Sequence, residues 1–343
     1  MPVDAGQRTA TRRHQLSGGG AVTGLGGIVA VTFPFFALVL CGYLAARSRV
    51  LPLEAVAGLN AFVLFFALPC MLYRFGASTP LAQLLDPVIG LLWLGCGALV
   101  VGASAWRARR LGAVWPDAAM GGLVAAFPNS GFMGVPLILA LLGTRGVGPV
   151  MSTLLVDLVL TTSICIGLSQ WRAAGEHGAL QAMLRAAKAM LRNPMPWSIV
   201  LGAVAGALAF ELPAPVSRTV QLLGDAASPV ALFTIGAVLA RSQRMAKPAQ
   251  VSRADDVAGV VWTKLLIHPA LDWGATELAV RAGWMAQAVQ PPLILAAALP
   301  SASNVSLLAE RYGADGGRVA RIILWSTALA FFSFSAVVGL IMA

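Results

Sequence analysis

Ten residues inside one long apolar run carry the first chemistry in the chain. Phe127-Pro128-Asn129-Ser130-Gly131-Phe132-Met133-Gly134-Val135-Pro136 sets two prolines eight residues apart, with two glycines between them, inside the apolar segment 118–142. Proline removes a backbone donor and clashes with the preceding turn, and glycine weakens the helix that remains. The stretch predicts a helix broken around Pro128 and Pro136, with Asn129, Ser130 and Gly131 in the break. Such a break offers free N–H groups and the positive end of a helix dipole on one side, and free carbonyls on the other. Anions suit the N-terminal side, and Asn or Ser side chains can complete the contacts. A second break, Leu299-Pro300-Ser301-Ala302-Ser303-Asn304, supplies Pro300, Ser301, Ser303 and Asn304. One proline kink alone reads as packing, with Asn and Ser satisfying the backbone. Two kinks in matching spans favour a binding site.

Ionisable groups inside apolar runs are the second source of chemistry. Asp157 lies about ten residues into its run, ~15 Å deep at the helical rise. A lone carboxylate at that depth is costly and is by default a functional group. Its roles could be proton carrier, cation ligand, counter-ion to Lys264, or a structural hydrogen bond to a neighbouring turn. Lys264, His268 and Asp272 repeat at i, i+4 and i+8, so they share one helix face. Lys264 stands within two turns of a span end, where a lysine can snorkel, and Asp272 is expected near the outer surface. Asn60 is a lone polar residue in its run, an interhelical clasp or a site wall. The chain has no GxxxxGK phosphate loop, no HExxH, no nucleophile elbow and no dinucleotide fingerprint in a strand-to-helix context, so enzyme chemistry, ATP-driven transport and a bound cofactor are not indicated. Cys41, Cys70, Cys96 and Cys165 form no CxxC pair or Cys/His cluster and read as small core residues, which gives neither a disulfide framework nor a metal site.

The elements that must position these groups are transmembrane helices. The 343 residues are 58% apolar and 11% charged, with mean hydropathy +0.80, against about 25% charged in soluble domains. The net charge of +10 falls in short loops between apolar runs, which marks topology and not nucleic-acid binding. Spans are expected near 28–46, 56–73, 88–106, 118–142, 147–168, 196–210, 220–240, 257–279, 289–311 and 318–342, most close to the ~20 residues that cross a bilayer. Residues 1–27 read as a disordered tail and 169–195 as a cytoplasmic loop. Loops after odd-numbered spans, counted with the span-end residues Arg311, Arg318 and Arg321, hold sixteen Lys and Arg, and loops after even-numbered spans hold four. The odd loops are therefore expected in the cytoplasm and both termini outside it.

Ten spans suggest two halves of five, 28–168 and 196–343, and an odd number inverts the second half. Pro34 and Pro194, Gly42 and Gly202, Pro69 and Pro229, and Gly76 and Gly236 each stand 160 residues apart, while Pro128 and Pro300 stand 172 apart. Inverted repeats with broken helices in corresponding places point to a secondary transporter with its site at the bilayer midplane. Gly202 and Gly206 form a GxxxG that marks close helix packing.

The chain resembles the auxin efflux carrier family of permeases, on residues that run from about position 30 to the end. These are Pro34 with Leu40-Cys41-Gly42-Tyr43-Leu44, Leu59-Asn60-Ala61-Phe62-Val63 through Ala67-Leu68-Pro69, and Asn129 through Pro136. Asn193-Pro194, Ser228-Pro229-Val230-Ala231-Leu232-Phe233 with Gly236, Lys264 through Pro269, and Leu299-Pro300 through Asn304 to Leu308-Ala309-Glu310-Arg311-Tyr312-Gly313 continue it. The resemblance implies an all-α membrane protein of ten helices in two inverted five-helix repeats, with broken helices 4 and 9 crossed, akin to bile acid symporters and sodium/proton antiporters. It implies carriage of small organic anions such as malonate, malate or an auxin-like acid, with Asn129 and Asn304 touching substrate and Asn60 nearby.

The expected protein is thus a secondary transporter of a mono- or dicarboxylate in the inner (plasma) membrane. A crossover domain (helices 3–5 and 8–10) would move against a scaffold (helices 1–2 and 6–7). Lys264 would assist the substrate, Asp157 would couple a proton or sodium, and a homodimer would follow by analogy. The alternatives are a cation/proton exchanger using Asp157, and a membrane sensor or assembly subunit without transport.

Overall fold

The computed structural model describes residues 25–170, 194–245 and 254–342, together with Gln181, Leu184 and Lys188. Most of the expected N-terminal tail and of the loop 169–195 lies outside these residues. The described chain is helical, and among the described residues the one β-bridge joins Pro128 to Ser301. Six helices are long and apolar enough to cross a membrane: Gly26–Arg47, Ala55–Ala77, Leu81–Arg110, Thr144–Ser169, Ala214–Arg241 and Gly316–Met342.

In chain order, α1 is Leu25–Arg47 and α2 is Ala55–Ala77. Helix α3 is Pro87–Arg110, capped by Asp86, whose carboxylate accepts from the amides of Val88 and Ile89. Helix α4 comes in two pieces, α4a (Trp115–Ala126) and α4b (Val135–Leu142), with a wide π turn, Ser130–Gly134, leading into the second. Helices α5 (Thr144–Ser169), α6 (Pro194–Ala207) and α7 (Ala214–Met245) follow. Helix α8 covers 254–281, α9 is again split into α9a (Gln290–Ala298) and α9b (Val305–Arg311), and α10 is Gly316–Met342. The four elements outside the six long apolar helices have plain reasons. Two are broken, α6 has 14 residues, and α8 carries Asp256, Lys264 and Asp272 in its length.

Two helix pairs pack through glycine. Helix α1 lies on α7, where Gly42 sits against the Phe233 carbonyl and Gly236 against the Val39 carbonyl. Helix α2 lies on α6, where Gly202 meets the Tyr73 carbonyl and Gly76 the Ile199 carbonyl. A Cβ at any of the four would overlap backbone, which cannot yield as a side chain would. Gly206 makes the same kind of contact with the Ala77 carbonyl, as its GxxxG spacing predicted. The remaining helices form a second packed group, with α3 on α4a, α8 on α9a, α5 on α4a, α3 on α8, and α10 against both α9 pieces. Arg318 ties three of these together: Nε donates to Asp256 at 2.5 Å and Nη1 to the Asp117 carbonyl at 2.9 Å.

Among the described residues four π turns interrupt the helices: Val63–Ala67, Ser130–Gly134, Asp157–Thr161 and Thr263–Ile267. Three of them end two residues before a proline, namely Pro69, Pro136 and Pro269. A proline ring cannot share the space of the carbonyl four residues back, and a widened turn moves that carbonyl aside. The fourth is followed by Thr162, whose hydroxyl donates to the Asp157 carbonyl at 2.7 Å. Pro34 and Pro229 sit inside α1 and α7 without such a turn.

Candidate functional site

The two breaks meet. The Asn129 amide donates to the Pro300 carbonyl at 2.8 Å, and the Ala302 amide donates to the Phe127 carbonyl at 3.0 Å. With the bridge between Pro128 and Ser301 this is a minimal antiparallel ladder, built where both helices have released their backbone groups. The pairing is antiparallel, so Pro128 faces Ser301, Asn129 faces Pro300 and Phe127 faces Ala302.

The ladder leaves specific side-chain atoms without partners. Asn129 Oδ1, Ser130 Oγ and Asn304 Oδ1 are buried and hydrogen-bonded to nothing. Asn129 and Ser130 are enclosed, 4% and 0% exposed, while Ser303 and Asn304 are half-buried. Gly131 is buried beside Leu154, and Gly134 lets the Leu299 side chain come close. Buried polar atoms are nearly always paired, so three orphans at one crossing mark a place built for another molecule or for water. Ser301 differs: its hydroxyl donates to the Val124 carbonyl at 2.7 Å and its amide donates to Ser326 Oγ at 3.3 Å. It finishes the end of α4a and is a structural member of the crossing. Asn60 is half-buried on α2, with its carbonyl taking the Val63 amide at the start of a π turn. No hydrogen bond joins it to the crossing.

Behind the crossing lies a fully buried polar cluster. Lys264 is 0% exposed, and Asp157, His268 and Asp272 are each 1% exposed. The snorkelling expected of Lys264 does not occur, because its side chain turns inward from a π turn on α8. Its Nζ donates to the Ala297 carbonyl, in the last turn of α9a, at 3.0 Å and lies 3.0 Å from His268 Nδ1. On the other side of the ring, His268 Nε2 is 3.2 Å from Asp272 Oδ2, close but without hydrogen-bond alignment. Asp272, expected near the surface, is held inside by the i, i+4 stacking that aligns it under His268. Asp157 takes the Thr161 hydroxyl at 3.0 Å on one oxygen, and its Oδ2 has no partner. Asp157 and Lys264 share the cluster without forming an ion pair. The helix spacing pointed to Lys264, His268 and Asp272. Trp93, which stacks near His268 at 5.5 Å and lies against Asp157, and Cys96, whose thiol faces Asp272, went unseen. Cys41, read as a core residue, is exposed on the outer face of α1.

No group of three or more His, Cys, Asp or Glu side chains is arranged to hold a metal among the described residues. A cavity of about 400 Å³ opens between α3, α5 and α6, lined by Leu84, Asp86, Gly90, Ser152, Val156 and Trp197 among others. It holds none of the crossing residues.

Comparison with known proteins supports a transporter. A family described as "Membrane transport protein" matches residues 28–338. A protein from Rhizobium meliloti (strain 1021) named "Putative malonate transporter" is 30% identical over 92% of this chain and 95% of its own. "Uncharacterized transporter YfdV" of Escherichia coli (strain K12) is 24% identical over 81% of this chain and 86% of its own. An "Uncharacterized transporter" of Methanothermobacter thermautotrophicus is 27% identical over 86% and 92%.

Proposed function

The chain belongs to the membrane transport family of auxin efflux carriers, a multi-pass membrane transporter and not an enzyme, and on that premise we propose that it carries a small mono- or dicarboxylate through the crossing of α4 and α9. The observation that carries this reading is the ladder between the two breaks, with Asn129, Ser130 and Asn304 left unpaired around it. A carboxylate needs donors. In the first turn of the Ser130–Leu142 segment the Ser130 amide is taken by the Pro128 carbonyl, while the amides of Gly131 and Phe132 have no earlier carbonyl as partner and can face an anion. A carboxamide can turn its N–H face to an anion, and a serine hydroxyl can donate. Malonate is the first substrate to test, because a relative of similar length bears that name.

Ten spans in two inverted halves accord with the packing. The glycine contacts of α1 on α7 recur in α2 on α6 when 160 is added to or taken from every residue number: Gly42 on Phe233 becomes Gly202 on Tyr73, and Gly236 on Val39 becomes Gly76 on Ile199. We assign α1, α2, α6 and α7 to a scaffold and α3–α5 with α8–α10 to a moving crossover domain, a division that the Arg318 contacts favour because all of them stay inside the second group. The charge of the loops supports an orientation with both termini outside the cytoplasm, and we assign the carrier to the plasma membrane.

The test is uptake of labelled malonate, malate and an auxin-like acid into proteoliposomes. Asn129→Ala and Asn304→Ala are each expected to lower uptake of the best substrate about tenfold or more, the loss of a hydrogen bond to a charged group being worth ~1.5–3 kcal/mol. Unchanged uptake in both variants would place the site elsewhere.

A further inference from the structure

We infer that the buried cluster of Asp157, Lys264, His268 and Asp272 holds one exchangeable proton, and that this proton moves with the organic anion. The inference rests on the carrier reading above and adds its driving ion. The groups are enclosed on every side. Helix α5 contributes Asp157 and the Cys165 thiol, α3 contributes Trp93 and Cys96, α8 contributes Lys264, His268 and Asp272, and α9a contributes the Ala297 carbonyl.

Charge counting gives the proton. His268 Nδ1 accepts from the Lys264 ammonium, so the ring proton stands on Nε2, toward Asp272, and the imidazole is neutral. Two carboxylates then face one ammonium. A buried site does not tolerate an unpaired charge. The remaining carboxylate takes one proton to become a carboxylic acid and returns it when the site opens to water again. Asp157 suits that role, since one of its oxygens is satisfied by Thr161 and the other is unpartnered. Asp272 also has an oxygen without a hydrogen bond, Oδ2, but that atom lies 3.2 Å from the imidazole Nε2, and Cys96 adjoins the carboxylate.

Geometry links the proton to the anion. Lys264 grips Ala297, three residues before Pro300, and Pro300 is bonded to Asn129. An anion arriving at the crossing meets a cluster that is negative without the proton and neutral with it. Proton binding therefore favours anion binding, and by linkage the anion favours the proton to the same degree.

Two measurements test this on the whole protein. In pH-difference infrared spectra of the purified protein, the C=O stretch of a protonated carboxyl is expected in the wild type, absent in Asp157→Asn and restored in Asp157→Glu. Spectra without such a band overturn the proposal. In proteoliposomes with a trapped pH dye, labelled malonate entry is expected to carry protons inward and to accelerate severalfold when the outside is acidic. In Asp157→Asn this pH response is expected to disappear while malonate-for-malonate exchange stays above that of empty vesicles. Malonate flux without proton movement, or flux that follows a sodium gradient at fixed pH, overturns proton coupling and leaves the carrier reading standing. An infrared band with no flux of any of the three tested acids overturns the carrier reading, and coupling with it.

Discussion

The half-helices α4a and α9a both end at the crossing, and they are finished by different chemistry. The Val124 carbonyl takes a neutral hydroxyl, from Ser301 at 2.7 Å. The Ala297 carbonyl takes an ammonium, from Lys264 at 3.0 Å. Each carbonyl lies in the last turn of its half-helix, Val124 two residues before the end of α4a and Ala297 one residue before the end of α9a. Both helices are broken, and the side chains that finish the two ends differ. One end is closed by the strand that crosses it. The other is tied to a buried charge cluster, whereas the buried charge pair beside α4a, Arg318 and Asp256, lies toward its opposite end at Asp117. A repeat can preserve a broken helix because proline and glycine impose it locally. Each end still needs some donor for its free carbonyls, and the choice of donor is where the two ends differ in chemistry.

Removing the charged donor should have the largest effect. Lys264→Met would leave the Ala297 carbonyl and His268 Nδ1 without their donor and two carboxylates without a cation. Breaking a buried charge pair costs ~3–5 kcal/mol, so malonate uptake should fall to background and the melting temperature in detergent should drop sharply. Wild-type uptake and melting would show the two ends to be equivalent after all.

The scaffold contacts sharpen the comparison from the other direction, because there both halves are alike. Gly42→Val and its counterpart Gly202→Val each push a side chain into backbone, at a cost of ~1–3 kcal/mol for overpacking. The two should lower thermal stability by similar amounts, while Gly58→Ala, with open space around it, should not lower it by more than a few tenths. A large inequality between Gly42→Val and Gly202→Val would argue against a symmetric scaffold.

At the neutral end the effects should be smaller. Ser301→Ala removes one hydroxyl bond, worth ~1 kcal/mol, and should reduce uptake severalfold with folding intact. Ser326→Ala removes the longer 3.3 Å contact to the Ser301 amide and should cost ~0.5 kcal/mol or less, with uptake close to wild type. If Ser301→Ala were as damaging as Lys264→Met, the asymmetry between the ends would be one of position and not of charge.

Much of this was legible in the residues. Pro128 and Pro300 announced the breaks, since a ring without an N–H removes a helix hydrogen bond, although Pro34 and Pro229 are accommodated inside α1 and α7. Gly42, Gly76, Gly202 and Gly236 lie at one offset, and all four turned out to sit against carbonyls of a partner helix. Asp157 and Lys264 stood out because charge in an apolar run is expensive. Which residues lie opposite at the crossing was not legible, because proline spacing marks where a helix stops and not how two breaks pair.

Sequence alone determined the class of the molecule, the places where its helices fail and the short list of polar groups inside the membrane. These follow from local covalent chemistry and from the cost of burying charge, and neither depends on neighbours. Tertiary structure decided which groups share a site. Only packing could turn Lys264 inward onto Ala297, set Asp272 beneath His268, bring Trp93 and Cys96 to the carboxylates, and leave Asn60 on α2 unbonded to the crossing. Helix spacing says which residues share a face, whereas the direction that face looks is set by the helices stacked against it.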